Sequence, residues 1–295
     1  MRSLSLALLA LFFAGSIQAR PDQSAPPVAP LIFRGKEIKN LLAFGDSYTY
    51  VQGTQGHWNY SFISDAFNYS YTPEQLLSSE IVKNTTSSGG PNWVDLPLHH
   101  NYTVPLDDQV KQWDLYAREV LDHESADTLV AFWIGINDIN DSAKFTNVSF
   151  AAWYETLATK WFESVATDTE KMLPPPLEKT ASNLVSSNPL PNAAMMGQWN
   201  AAVQAQASAF QARHNDSRTA VFDTYAFLNG VLADAARHGI YNTTSYCQSY
   251  AQADILWNYA GYGCQPISEY FWFNSGHITF TVHEIIADEV LRQLA

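Results

Sequence analysis

The sequence predicts a doubly wound α/β fold, with a mostly parallel sheet and helices on both faces. Two observations carry that reading. Short apolar runs, stopped by Gly-Asp or Asn-Asp, alternate with segments whose apolar residues recur at helical spacing. The polar residues able to do chemistry stand just after those runs, where open α/β sheets place their sites. Composition agrees. The 295 residues are 46% hydrophobic and 14% aromatic but only 15% charged, enough for one large core and unlike a disordered chain. The charge of -13, from 16 Lys+Arg against 29 Asp+Glu, disfavours nucleic acid as a partner, because phosphate binding needs clustered cations.

Residues 1–19, MRSLSLALLALFFAGSIQA, read as a secretory signal peptide: one Arg, an apolar run from Leu4 to Ala14, then small and polar residues. That run is too short to span a bilayer, so no membrane partner is expected. Residues 20–34 carry Pro21, Pro26, Pro27 and Pro30 and are expected to run extended over the surface. A single domain is expected over 35–295. Asn40–Phe44 reads as a buried strand ending at Gly45-Asp46. Val110, Trp113, Ala117 and Leu121 share a helical face. Asp127–Ile136 is a stronger buried strand, stopped by Asn137-Asp138. The stretch Ala166–Leu173 is too polar for a central parallel strand. Trp199, Val203, Gln206 and Phe210 mark another helix, Thr219–Phe222 a third strand, and Tyr270–Phe273 a short extended piece. Thr281 to Glu284 reads as a capping box. The final helix then buries Val282, Ile285, Ile286, Val290, Leu291 and Leu294.

Export has two further signs. Eight Asn-X-Ser/Thr sequons, at Asn59, Asn68, Asn84, Asn101, Asn140, Asn147, Asn215 and Asn242, suggest a glycoprotein with most sequons on loops. The only cysteines, Cys247 and Cys264, predict a disulfide in an oxidising compartment; two metal ligands are the weaker alternative, since no second ligand pair stands nearby.

Three positions carry chemistry. Ser47, in Gly45-Asp46-Ser47, follows a strand on a tight turn and can point its hydroxyl into the crevice; a Ser helix cap is the bland alternative. Asn137, in Gly135-Ile136-Asn137-Asp138, can donate an amide hydrogen bond to an oxyanion, or simply serve a turn. His277, just before the last helix, can take a serine proton, or be a turn histidine. Their order, with Gly45-Asp46-Ser47 first and His277 near the end, resembles the SGNH/GDSL hydrolases, whose fold is flavodoxin-like. Closer features are Ser88-Gly89-Gly90-Pro91-Asn92-Trp93, Asp108-Gln109-Val110, Pro174-Pro175-Pro176-Leu177-Glu178-Lys179-Thr180, and Tyr241-Asn242-Thr243-Thr244 running to Cys247. These look like carbohydrate esterase family 16, secreted fungal acetylesterases, over roughly residues 38–295.

The resemblance implies a secreted serine esterase acting on acetylated carbohydrate, with no cofactor, no metal and a monomeric state. Ser47 would be the nucleophile and His277 its base. The Ser47 N–H, the Asn137 side chain and Gly89 or Gly90 would hold the oxyanion. The chain departs from the family three times. Asn274 occupies the position of the catalytic Asp, a change that in a trypsin-type triad costs about four orders of magnitude through the wrong tautomer. The segment before Asp108 that carries the family's oxyanion glycine is missing. The strand before Pro174 is too polar, so one or two strands of an expected five would be missing or weak. The alternative is therefore a catalytically impaired or inactive carbohydrate-binding glycoprotein on the same scaffold. A long apolar lid is absent, which disfavours a lipase. His99 and His100 point apart on any strand, and His283-Glu284 lacks the second His of a zinc helix at Ala287. Trp58, Trp93 and Trp272 are core residues or sugar-stacking faces, with core packing preferred.

Overall fold

The computed structural model describes residues 31–33, 36–38, 40–49, 88–89, 106–119, 128–164, 169–214 and 219–294. The signal segment, Leu121, His99, His100, Gly90, Trp58, Trp93 and the sequons at Asn59, Asn68, Asn84, Asn101 and Asn215 lie outside these residues, as does the segment before Asp108 up to residue 105.

Strands β1 (Leu31–Phe33) and β2 (Lys36–Ile38) pair antiparallel, so the end of the Pro-rich stretch is extended but belongs to a hairpin. The main sheet comprises β3 (Asn40–Gly45), β4 (Thr128–Trp133), β5 (Thr169–Met172) and β6 (Thr219–Phe222), in that spatial order and parallel throughout. Helices flank it: α1 (Leu106–Gln112, continued by a π turn over Trp113–Ala117), α2 (Ile136–Ser142), α3 (Phe150–Glu163), α4 (Ala181–Leu184), α5 (Ala193–Arg213), α6 (Thr224–Ala233), α7 (Ile255–Asn258) and α8 (Phe280–Leu294). The expected α/β architecture is present.

β4 fits a central strand because Ala131, Phe132 and Trp133 are all buried, and Phe132 stacks on Phe44 of β3 at 5.0 Å. It ends sooner than the sequence predicts. Gly135 adopts φ 107, and a Cβ there would collide with the Trp199 ring. A residue confined to that conformation breaks the strand, and Ile136 already opens α2. On α5, Met196, Trp199, Val203, Ala207 and Phe210 form one buried stripe, and the Asn192 side chain caps its start by accepting from the Met195 N–H at 3.1 Å.

β5 corrects a second expectation. Thr169–Met172 is a central strand despite its polarity, laddered to β4 and β6 on its two sides. Lys171 is buried, with its ammonium 4.2 Å from the Phe132 ring centroid and 5.1 Å from that of Phe162. The four-carbon stem fills apolar space while aromatic faces receive the head, and burial pushes its pKa well below the ordinary value. The capping box is also absent. α8 starts at Phe280, so Thr281 lies inside its first turn, and the preceding Thr279 hydroxyl donates instead to the Tyr270 carbonyl at 2.7 Å. Trp272 is a core residue, fully buried, with its indole N–H on the Thr243 carbonyl. Asn147 is exposed on a loop, Asn140 is exposed but on α2, and Asn242 is half-buried in a turn whose Ser245 N–H it accepts. No helix among the described residues is long and apolar enough to cross a membrane.

Candidate active site

The parallel ladder pairs Gly45 with Trp133, so β3 and β4 end side by side. The chain leaves β3 by a tight turn. Asp46 N–H donates to the Trp133 carbonyl, Thr49 N–H to the Asp46 carbonyl, and Tyr48 N–H to the Asp46 carboxylate. A Cβ on Gly45 would run into Thr49 and the Trp133 carbonyl, so only glycine allows so close an approach. The Gln109 side chain clamps Gly45 from α1, accepting from its N–H at 3.3 Å and donating to its carbonyl at 3.2 Å. That is the bond pair a further β-strand residue would make. The turn leaves Ser47 nearly buried, with its Oγ 2.9 Å from His277 Nε2.

His277 arrives on a loop folded back on itself. Phe273 N–H donates to the His277 carbonyl at 2.7 Å, Trp272 and Ile278 form an isolated bridge, and Thr279 N–H donates to the Phe271 carbonyl. Three outside contacts hold the tip. The Tyr48 hydroxyl donates to the Gly276 carbonyl, and Ser182 on α4 donates through both its N–H and its hydroxyl to the Ser275 carbonyl. Behind the loop, Phe273 and Tyr270 pack with Cys247, Ile255 and Ile267 in a small separate core. The predicted disulfide between Cys247 and Cys264 is formed there.

Asn274 sits where the sequence places it, and its geometry answers the tautomer question. Its Oδ1 lies 3.0 Å from His277 Nδ1 and also accepts the N–H groups of Gly276 and His277 at 3.0 and 2.9 Å. Two backbone donors identify that atom as the oxygen of the amide. An oxygen facing Nδ1 calls for a proton on Nδ1, which leaves Nε2 free to accept from Ser47. The expected wrong tautomer is thereby avoided; what Asn274 lacks is charge.

The two groups expected to face an oxyanion are unengaged. The Ser47 N–H makes no hydrogen bond among the described residues, and neither does the side chain of Asn137 at the start of α2. Gly89 lies beside the Phe273 ring of the histidine loop, and the preceding Ser88 carbonyl accepts from Phe280 N–H. Residues 41–290 match the family model described as GDSL-like lipase/acylhydrolase. The chain belongs to this family. No curated protein sequence matches it.

Membership implies carboxylic ester hydrolysis, which needs a neutral base beside a serine. Burial shifts two ionisable groups next to the Ser47–His277 pair towards their neutral forms. The Asp46 carboxyl is pushed up to about 7, mainly by loss of water and partly by the neighbouring Asp138 carboxylate; its Oδ2 has no hydrogen-bond partner. His283 on α8 is pushed down to about 3, again by burial first and by nearby His277 second. Sequence reasoning missed three supporting residues of the acylhydrolase site. Gln109 stood in a motif of the resemblance without a task, and Tyr48 and Ser182 carried no signal, because they act through positions far away in sequence.

Proposed function

We propose that the protein is a secreted serine esterase that removes acetyl groups from carbohydrates through an acyl-enzyme. The single observation carrying the reading is the relay Ser47 Oγ, His277 Nε2, His277 Nδ1, Asn274 Oδ1, closed by contacts of 2.9 and 3.0 Å. Ser47 attacks the acetyl carbonyl carbon as His277 takes its proton. The negative oxygen is held by the Ser47 N–H and the Asn137 amide. Collapse releases the sugar alcohol with that proton, and water, deprotonated by His277, then frees acetate. The leader-like start, the eight sequons and the cysteine pair support an extracellular place of work. The carbohydrate substrate and the monomeric state rest on the family resemblance, as does a third donor at Gly89 or Gly90.

The test is acetate release from acetylated xylo-oligosaccharides by the purified protein beside its Ser47→Ala variant. Release by the native chain alone supports the reading. A cooperatively melting native protein that releases no acetate and whose Ser47 ignores a phosphonate probe overturns it and favours a carbohydrate-binding role.

A further inference from the structure

When His277 takes the serine proton its ring becomes a cation, and in most such relays a carboxylate faces it. Here the group at Nδ1 is the neutral amide of Asn274. Among the described residues Tyr48 is stacked on the imidazole, with centroids 5.2 Å apart and planes 26° apart. Tyr48 is buried and held on several sides. Its N–H bonds Asp46, its hydroxyl bonds the Gly276 carbonyl one residue before His277, and its ring meets Trp133 at 5.2 Å and His283 at 5.9 Å. The face of an aromatic ring carries negative charge density, and a cation within about 6 Å of its centroid is stabilised most where water is absent.

We infer that Tyr48 is the positioning residue that substitutes for the missing carboxylate, orienting the His277 ring through Gly276 and stabilising its imidazolium with the ring face. The inference rests on His277 being the base of the proposed esterase. Among the described residues, the titratable groups tied to it by contact or charge are Tyr48 on the nucleophile turn and His283 on α8, with Asp46 acting on Tyr48; Asp138 and Asp141 on α2 and Glu284, Asp288, Glu289 and Arg292 on α8 complete the titratable groups of those helices. His283, whose ring centroid lies 5.9 Å from that of Tyr48, is pushed down to about 3 by burial and stays neutral, so it is no rival cation for the Tyr48 ring.

The test replaces Tyr48 in the full chain by phenylalanine and then by increasingly fluorinated phenylalanines, which keep the ring's shape while draining its face. The His277 pKa is followed by NMR, and kcat and KM with 4-nitrophenyl acetate. Tyr48→Phe should leave the His277 pKa nearly unchanged. Full fluorination should lower it by about one unit and kcat by about tenfold, with KM constant. Adding Asn274→Asp should recover more activity in the fluorinated protein than it adds to the native one. A His277 pKa indifferent to fluorination overturns the inference, as does strict additivity with Asn274→Asp. If losing the hydroxyl unfolds the loop, fluorinated tyrosines give the same series. A native protein without turnover sinks the esterase reading alone, because the His277 titration still reports on Tyr48.

Discussion

The two halves of the relay are held in different ways. Ser47 is two residues beyond a strand of the main sheet, and its turn is fixed by backbone bonds to β4 and by the Gln109 clamp on Gly45. His277 sits on a loop outside the sheet, positioned by side chains: Asn274 from within, Tyr48 and Ser182 from outside, and a disulfide-linked core behind. A nucleophile built on a sheet end inherits the sheet's rigidity. A base built on a loop needs many individually modest contacts, each worth about 1 kcal/mol, and can be weakened piece by piece.

The contrast is broken hardest at the reacting atoms. Ser47→Ala should reduce ester turnover by roughly 10⁴-fold or more while leaving the melting temperature within a few degrees, measured by steady-state kinetics beside calorimetry. Asn274 sharpens the comparison next. Asn274→Leu removes the acceptor that sets the His277 tautomer and should lower kcat about a hundredfold or more, whereas Asn274→Asp should raise it about tenfold. Equal rates in both variants would mean that position 274 does not orient the ring.

Stability separates the halves further. Removing the disulfide by Cys247→Ser with Cys264→Ser should cost about 3 kcal/mol in denaturant unfolding, with early loss of protection in the histidine loop and late loss in β3 and β4 by hydrogen exchange. The pH dependence should carry opposite slopes. Asp46 has its folded pKa raised to about 7, so its contribution is complete below about 4 and is lost as pH rises through 7. His283 has its folded pKa lowered to about 3, so its contribution is complete above about 6.5 and is lost as pH falls towards 3. Asp46→Asn should flatten the melting curve between pH 4 and 7 on the alkaline side, and His283→Gln should flatten it on the acid side. The smallest effect belongs to Ser182→Ala, about 1 kcal/mol or less and a fewfold in kcat, because its N–H still reaches Ser275.

The same contrast explains what could be read from residues alone. β3, β4, β6 and the stripe of α5 announced themselves because burial on both faces, or on one helical face, demands apolar residues in a regular pattern. β5 did not, because Lys171 meets that demand with an aliphatic stem and aromatic neighbours that lie elsewhere in the sequence. The Ser47–His277 pairing was legible from places after the first strand and before the last helix. Asn274 was legible as a departure, but not the two backbone N–H groups that turn its oxygen towards the ring. Gln109, Tyr48 and Ser182 were not, since each works on a residue 64, 228 or 93 positions away.

Ser47 and His277 are separated by 230 positions in the chain. At a ribosomal pace of about 5–20 residues per second, the histidine is made roughly 10–50 s after the serine. On the proposed roles, the nascent polypeptide carries the serine hydroxyl through that interval without its base. The proposed esterase would therefore complete its relay only when biosynthesis is almost finished.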